Sequence, residues 1–180
     1  SFVSRLPSGG SLIYCADDEG AAALAERTAR SRPDVERIAY GTEAGGPFGV
    51  HRIAAGPGGM TFRIGDPGRT CRLAIPGTHN VLNAAGAFAL VSSLCRDERG
   101  EFTKNDFEAC EKALATYRGA VRRSEVLGER DGIVFVDDYA HHPTAIRATI
   151  AGLREFYPGR RLVVDFMPHT FSRTEALFDE

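Results

Sequence analysis

The strongest constraint on the fold comes from two apolar runs near the end of the chain, separated by an amphipathic stretch. "IVFVDD" is a continuous apolar run of the kind that a parallel sheet buries on both faces, and "RRLVVDFMPH" is a second one. Between them, "HPTAIRATIAGLREFYPG" places Pro143 near the first turn of a predicted helix and Pro158-Gly159 at its end. The order strand, helix, strand predicts a βαβ unit and the start of a Rossmann-like parallel α/β domain.

The residues before this unit predict a different arrangement. "SLIYCADDEGAAALAERTARSRP" predicts a buried strand over Leu12–Cys15 and an Ala-rich helix that either aspartate of the turn could cap. From residue 36 to 75, short β-branched or aromatic segments alternate with Gly-rich turns, which predicts a small antiparallel sheet. Two helices are then predicted, one almost wholly apolar in "HNVLNAAGAFALVSSLC" and one in "TKNDFEACEKALATYRG".

Length and composition place further bounds on the chain. Its 180 residues favour one or two domains, and we predict a boundary near Arg123 that separates units 1–123 and 124–180. A net charge of -2 argues against nucleic acid as the main partner. The sequence lacks a signal-peptide pattern and any apolar stretch near the ~20 residues of a membrane span, and its cysteines form no CxxC pair. These features predict a cytoplasmic protein. The missing initiator Met and the helix-like last residues predict a piece of a longer protein.

Two polar clusters follow the two predicted strands. One runs from Asp137 to His142 and the other from His169 to Arg173. Ligands of open parallel sheets bind beyond the carboxyl ends of the strands, so the clusters predict one functional site. The alternative is an aspartate that caps the next helix beside surface histidines. DDxxHH also suits zinc, manganese or iron in a metal-dependent hydrolase, although adjacent histidines usually point apart. A domain that only docks to a partner is a third alternative.

Two further groups have the chemistry of nucleotide contacts. Asn80 and Asn83 are three residues apart on a predicted helix and share a face, and paired amides suit the edge of an adenine. The alternative is a helix cap. Arg122 and Arg123 lie at the predicted boundary, where a guanidinium could contact phosphate, or they form an exposed basic loop. The sequence contains no GxxxxGK[ST] phosphate loop.

Four segments taken in order carry a family resemblance. "GTHNVLNAAGAFAL", "YRGAVRRSE", "VDDYAHHPTAIRATI" and "FMPHTFSRT" resemble the Mur ligases of bacterial cell-wall synthesis. The resemblance implies an α/β chain that joins the rear part of a P-loop-type central domain, with a small antiparallel sheet, to the start of a Rossmann-like C-terminal domain. It implies ATP as cofactor, with Mg2+ held by upstream residues, so that this chain alone should be inactive.

The resemblance also implies a reaction and its partners. It is closest to the ligase that turns the carboxylate of UDP-N-acetylmuramate into an acyl phosphate, which the amine of L-alanine then attacks in peptidoglycan synthesis. The alternative within the family is the murein peptide ligase, which attaches a recycled tripeptide to the same sugar. Neither nucleic acid nor a membrane is an implied partner.

The site residues that the resemblance implies fall into three groups, with no metal ligand among them. Asp137 and His142 are predicted structural partners. Ser124 departs from the family pattern because it stands where an aromatic residue often follows the paired arginines. The implied nucleotide-binding residues are Asn80, Asn83, His79, Arg123 and Asp138, the implied catalytic residues are His141, Arg173 and Tyr139, and the implied substrate residue is His169.

Overall fold

The structure is a computed structural model that describes residues 2–56, 58–65, 68–95, 102–168 and 170–177, with only the backbone described at Arg173. The helices are α1 (Glu19–Ser31), α2 (Thr78–Leu94), α3 (Lys104–Thr116), α4 (Pro143–Phe156) and α5 (Phe171–Ala176). The strands are β1 (Ser11–Cys15), β2 (Glu36–Tyr40), β3 (Val50–Gly56), β4 (Gly59–Ile64), β5 (Arg69–Leu73), β6 (Glu125–Arg130) and β7 (Ile133–Asp137).

These strands form a parallel pair and two antiparallel sheets. β1 and β2 pair in parallel, β3, β4 and β5 form an antiparallel meander, and β6 and β7 form an antiparallel hairpin. The predicted α/β class and the predicted small antiparallel sheet are therefore confirmed. No helix among the described residues has the length and apolar character needed to cross a membrane.

The two aspartates after β1 have separate structural tasks. Asp18 caps α1, because its Oδ1 accepts a hydrogen bond of 2.7 Å from the backbone N–H of Ala21. The Asp17 carboxylate accepts from the backbone N–H groups of Thr42 at 3.0 Å and Glu43 at 2.9 Å. Burial alone would raise the pKa of Asp17, but these hydrogen bonds outweigh it and the pKa is lowered. Asp17 therefore ties together the loops that follow the parallel strands.

The main core lies between the meander and the apolar helix α2. β4 alternates buried and half-buried residues, as expected for a strand with one face on the core. Phe88 of α2 is 2% exposed, and burying a side chain of that size contributes about 1.5–3 kcal/mol. The burial of α2 in this core thus explains its apolar composition. The buried residues that meet here include Met60, Phe62, Ile64, Val81, Ala84, Ala85, Phe88 and Ala89.

The hairpin after residue 124 differs from the predicted βαβ unit. β6 and β7 are joined by Asp131 and Gly132, which have φ angles of 53° and 76°. Positive φ at both central residues is typical of the tight Asp-Gly turn that favours antiparallel pairing. The dipeptide "DG" was the sequence signal for this hairpin.

The prediction of a second strand in "RRLVVDFMPH" is wrong for the described residues of this segment. Residues 161–168 form no strand, and Val163 and Met167 are 77% and 79% exposed. An apolar run becomes a strand only when another strand pairs with it. No described segment does so here.

Helix α4 packs against the start of α2, so two helices that are far apart in the sequence are in contact. Gly152 of α4 is buried, and a Cβ atom at this residue would lie 2.8 Å from the Cα atom of Gly77. Gly77 precedes α2 with φ of 98°, a conformation that glycine adopts without steric cost. Two glycines therefore allow a backbone contact between α4 and the N-terminus of α2.

Candidate functional site

Asp138, which follows β7, is a predicted site residue whose carboxylate accepts three hydrogen bonds from described residues. Its Oδ2 accepts from the backbone N–H of Ser124 at 2.7 Å and from the Ser124 hydroxyl at 3.1 Å. Its Oδ1 accepts from the backbone N–H of Ala140 at 2.7 Å. The carboxylate is thus held by its own loop and by the segment at the predicted domain boundary.

Tyr139 lies between a cation and an imidazole. The guanidinium carbon of Arg122 is 5.0 Å from the centroid of the Tyr139 ring, and the His141 ring is 5.0 Å away in an edge-on arrangement. Nδ1 of His141 is 2.9 Å from the Tyr139 carbonyl oxygen. Because that oxygen can only accept, Nδ1 carries the hydrogen, and Nε2 of the neutral ring is the acceptor.

The side chains of the DDxxHH segment each have a different partner. Among the described residues, no group of three His, Cys, Asp or Glu side chains is placed to hold a metal ion. His142 has the structural role predicted for it, since its Nδ1 accepts from a backbone N–H in the first turn of α4. The partners are Arg122 for Asp137 at 3.3 Å, Ser124 for Asp138, the Tyr139 carbonyl for His141, and Thr144 for His142 at 3.3 Å.

The predicted adenine contacts lie at the start of α2. The Asn80 side chain is half-buried and donates a hydrogen bond of 2.7 Å to the Pro76 carbonyl, whereas Asn83 is exposed. The local bond uses one N–H of Asn80, so its contact with an adenine edge would use the second N–H and Oδ1.

His79 is a half-buried residue in the first turn of α2. Burial lowers the pKa of His79, and the nearby negative charge of Asp138 acts in the opposite direction. A Cβ atom at Gly77 would lie 2.6 Å from the Cε1 atom of the His79 ring, so the imidazole covers that glycine. The charge of Asp138 therefore acts on His79, although the two residues were predicted from separate motifs.

The structure describes the remaining predicted site residues to different extents. Arg123 is exposed and directly precedes Ser124, which is only 3% exposed. His169 lies outside the described residues. Arg173 belongs to α5, and its side chain lies outside the described part of the chain. The predicted convergence of the two strand ends therefore stays a prediction.

Sequence reasoning missed two residues that organise this region. Ser124 was noted only as a departure from a family pattern, yet it provides two of the three donors to Asp138. Gly152 was an unremarked helix residue, and its contact with Gly77 positions α4. Neither role has a local signal, because each depends on a partner that is distant along the chain.

Two family comparisons match most of the chain. Residues 1–91 match the Mur ligase middle domain, and residues 122–180 match the domain described as "Mur ligase, glutamate ligase domain". The matched ranges leave residues 92–121 between them. Asp138 and Ser124 fall within the second match, and the start of α2 falls within the first.

Curated relatives are similar over almost the whole chain. A protein of Treponema pallidum strain Nichols named UDP-N-acetylmuramate–L-alanine ligase is 46% identical over 179 residues, which are 99% of this chain and 37% of that protein. A protein of the same name from Arthrobacter sp. strain FB24 is 42% identical over 174 residues, which are 97% of this chain and 35% of that protein. The chain therefore spans little more than a third of the length of these relatives.

Solved structures agree in fold. UDP-N-acetylmuramate-alanine ligase MurC of Thermotoga maritima is 24% identical with a TM-score of 0.64, and the match covers 98% of this chain and 45% of that one. MurF of Acinetobacter baumannii is 23% identical with a TM-score of 0.67, and the match covers 85% of this chain and 31% of that one. At these identities the likeness concerns the fold alone.

Proposed function

This chain belongs to the Mur ligase family, and from that premise we propose that it is part of an ATP-dependent ligase that joins L-alanine to the carboxylate of UDP-N-acetylmuramate. The support is the 46% identity to a relative that carries this name. The chain spans only 37% of that relative, so the activity would belong to the longer protein. We expect the isolated chain to be inactive, with units 1–123 and 124–180 as parts of two domains.

One observation carries this proposal: Asp138 is hydrogen-bonded to the predicted boundary segment, and its charge acts on a residue at the start of α2. Its carboxylate binds Ser124, the residue after the exposed Arg123, and its charge acts on the pKa of His79. A nucleotide at this place would meet amides, a guanidinium and a carboxylate within one region. We assign the adenine to Asn80 and Asn83, a ribose hydroxyl to Asp138 and the phosphates to Arg123.

The reacting groups are assigned to the aromatic cluster beside Asp138. Tyr139 is fixed by Arg122 and His141, and Nε2 of His141 is an acceptor that could take a proton from the attacking amine. The reaction depends mainly on positioning and on neutralising charge, so a nucleophilic side chain is not required. When bound, magnesium would neutralise phosphate charge, and we expect its ligands in other parts of the longer protein.

The proposal is tested with Asp138→Asn in the full-length enzyme, assayed for ATP-dependent ligation of L-alanine. Hydrogen bonds to charged groups contribute about 1.5–3 kcal/mol, so KM for ATP should rise about 10- to 100-fold. Asp131→Asn is the matched control, because the Asp131 side chain is 87% exposed in the hairpin turn. A variant that folds normally and keeps the wild-type KM for ATP would remove Asp138 from the nucleotide site. Absence of ligation by the wild-type enzyme would refute the proposed function.

A further inference from the structure

The segments around Ser124 and Asp138 are joined by three hydrogen bonds. Two of them end on the Asp138 carboxylate, from Ser124 N–H and Ser124 Oγ. The third runs from the Tyr139 backbone N–H to the Arg122 carbonyl at 2.8 Å. Within its own loop, the Asp138 carboxylate also accepts from Ala140 N–H. Arg123 lies between Arg122 and Ser124, and both of these residues are hydrogen-bonded to the loop that carries Asp138. The position of Arg123 is therefore coupled to that of Asp138.

The conformation of Ser124 limits which residues can occupy this position. Its φ is 49°, in the left-handed region, and its side chain is almost fully enclosed at 3% exposure. Bulky or β-branched residues are strained in this conformation. Serine combines a small side chain with a hydroxyl that donates to the same oxygen as its backbone N–H. A buried residue with this conformation and these two bonds fixes the rotation of the carboxylate that it holds.

The hydrogen bonds also limit what Asp138 can recognise. An ionised carboxylate has about four acceptor positions, and three donors from the described residues already occupy Asp138. One further donor can be accepted, which fits a single hydroxyl of a sugar rather than a bidentate guanidinium or a pair of amides. The orientation set by Ser124 would decide where that hydroxyl must lie.

We infer that Ser124 is a positioning residue that orients Asp138 to accept one hydroxyl of the nucleotide and keeps Arg123 in register with it. This inference rests on the proposed function, in which Asp138 and Arg123 contact ATP. Ser124 itself is enclosed and acts through the carboxylate. Its loss should therefore change the affinity for ATP and leave the affinity for L-alanine unchanged.

The test is a double-mutant cycle in the full-length enzyme, with KM for ATP and for L-alanine measured separately. Ser124→Ala removes the hydroxyl bond and keeps the backbone N–H, so KM for ATP should rise about 2- to 10-fold, with KM for L-alanine unchanged. In the Asp138→Ala background, Ser124→Ala should have no further effect, because its only route to the nucleotide is gone. A residue that merely supported the fold would act in both backgrounds.

Ser124→Gly is the second variant, because glycine tolerates the positive φ and also lacks the hydroxyl. It should reproduce the rise in KM for ATP even if Ser124→Ala folds poorly. The inference is overturned if Ser124→Gly keeps the wild-type KM for ATP, or if the effects of Ser124→Ala and Asp138→Ala on KM simply multiply. If the wild-type enzyme shows no ATP-dependent ligation, the proposed function itself fails, and this inference fails with it.

Discussion

Gly152 lies inside helix α4, where replacement by alanine would ordinarily stabilise a protein. Glycine in a helix interior is about 1 kcal/mol less favourable than alanine. Gly152 is buried, however, and a Cβ atom there would lie 2.8 Å from the Cα atom and 3.2 Å from the nitrogen of Gly77. Carbon atoms pack best at about 3.5–4.0 Å, so the new methyl group would force the helices apart.

The magnitude follows from these two opposing effects. Both neighbouring atoms are backbone atoms, which cannot rotate away as a side chain would, and the His79 ring confines Gly77 on another side. Overpacking a well-packed contact costs about 1–3 kcal/mol, whereas the gain in helix propensity is about 1 kcal/mol. We therefore expect Gly152→Ala to lower the free energy of unfolding by roughly 0–2 kcal/mol.

Urea denaturation of this chain, followed by far-ultraviolet circular dichroism, measures the change. Ala151→Gly is the matched control, because Ala151 is the preceding, exposed residue of α4 and its replacement tests helix propensity alone. The control should lose about 1 kcal/mol. If Gly152→Ala instead gains about as much as the control loses, the contact between α4 and Gly77 does not constrain the protein, and the reasoning is refuted.

Two other predictions concern titratable side chains. Burial lowers the pKa of His79 from 6.5, although the negative charge of Asp138 acts in the opposite direction. As the pH falls, the imidazole therefore takes up a proton in the unfolded chain before it does so in the folded chain. The free energy of unfolding should fall as the pH drops below 6.5, and His79→Gln should remove that part of its pH dependence in urea unfolding. Identical pH profiles for the wild-type protein and His79→Gln would contradict this prediction. Burial raises the pKa of Cys71 to about 12, and its side chain is fully enclosed. A disulfide reagent at pH 8 should therefore label the exposed Cys95 rapidly and Cys71 only after unfolding. Rapid native labelling of a variant with Cys15, Cys95 and Cys110 all replaced by Ser, which retains Cys71, would refute this.

Local signals predicted the helices well because the interactions that begin and end a helix lie within a few residues. The helix predicted in "TKNDFEACEKALATYRG" begins at Lys104, after Thr103 and Asp106 form a reciprocal capping box. Pro143 lies in the first turn of α4, as predicted. The apolar run of α2 predicted burial, and Val81 and Ala85 are fully enclosed.

Strand pairing was less predictable because an apolar run does not specify its partner. The run after α4 was predicted as a strand, yet residues 161–168 form no strand within the described part of the chain. β6 was not predicted, although its Asp-Gly turn is a local signal for a hairpin. Pairing depends on segments that meet only when the chain folds.

The sequence alone determined which residue types were available to the candidate site: amides at the start of α2, arginines at the boundary, and carboxylate, phenol and imidazole groups after β7. Only the tertiary structure decided how they are combined. It placed the Asp138 carboxylate on Ser124, exposed His79 to the charge of Asp138, and brought Gly152 against Gly77. The physical reason is that these contacts join residues far apart in the chain, so they depend on packing and not on local backbone preference.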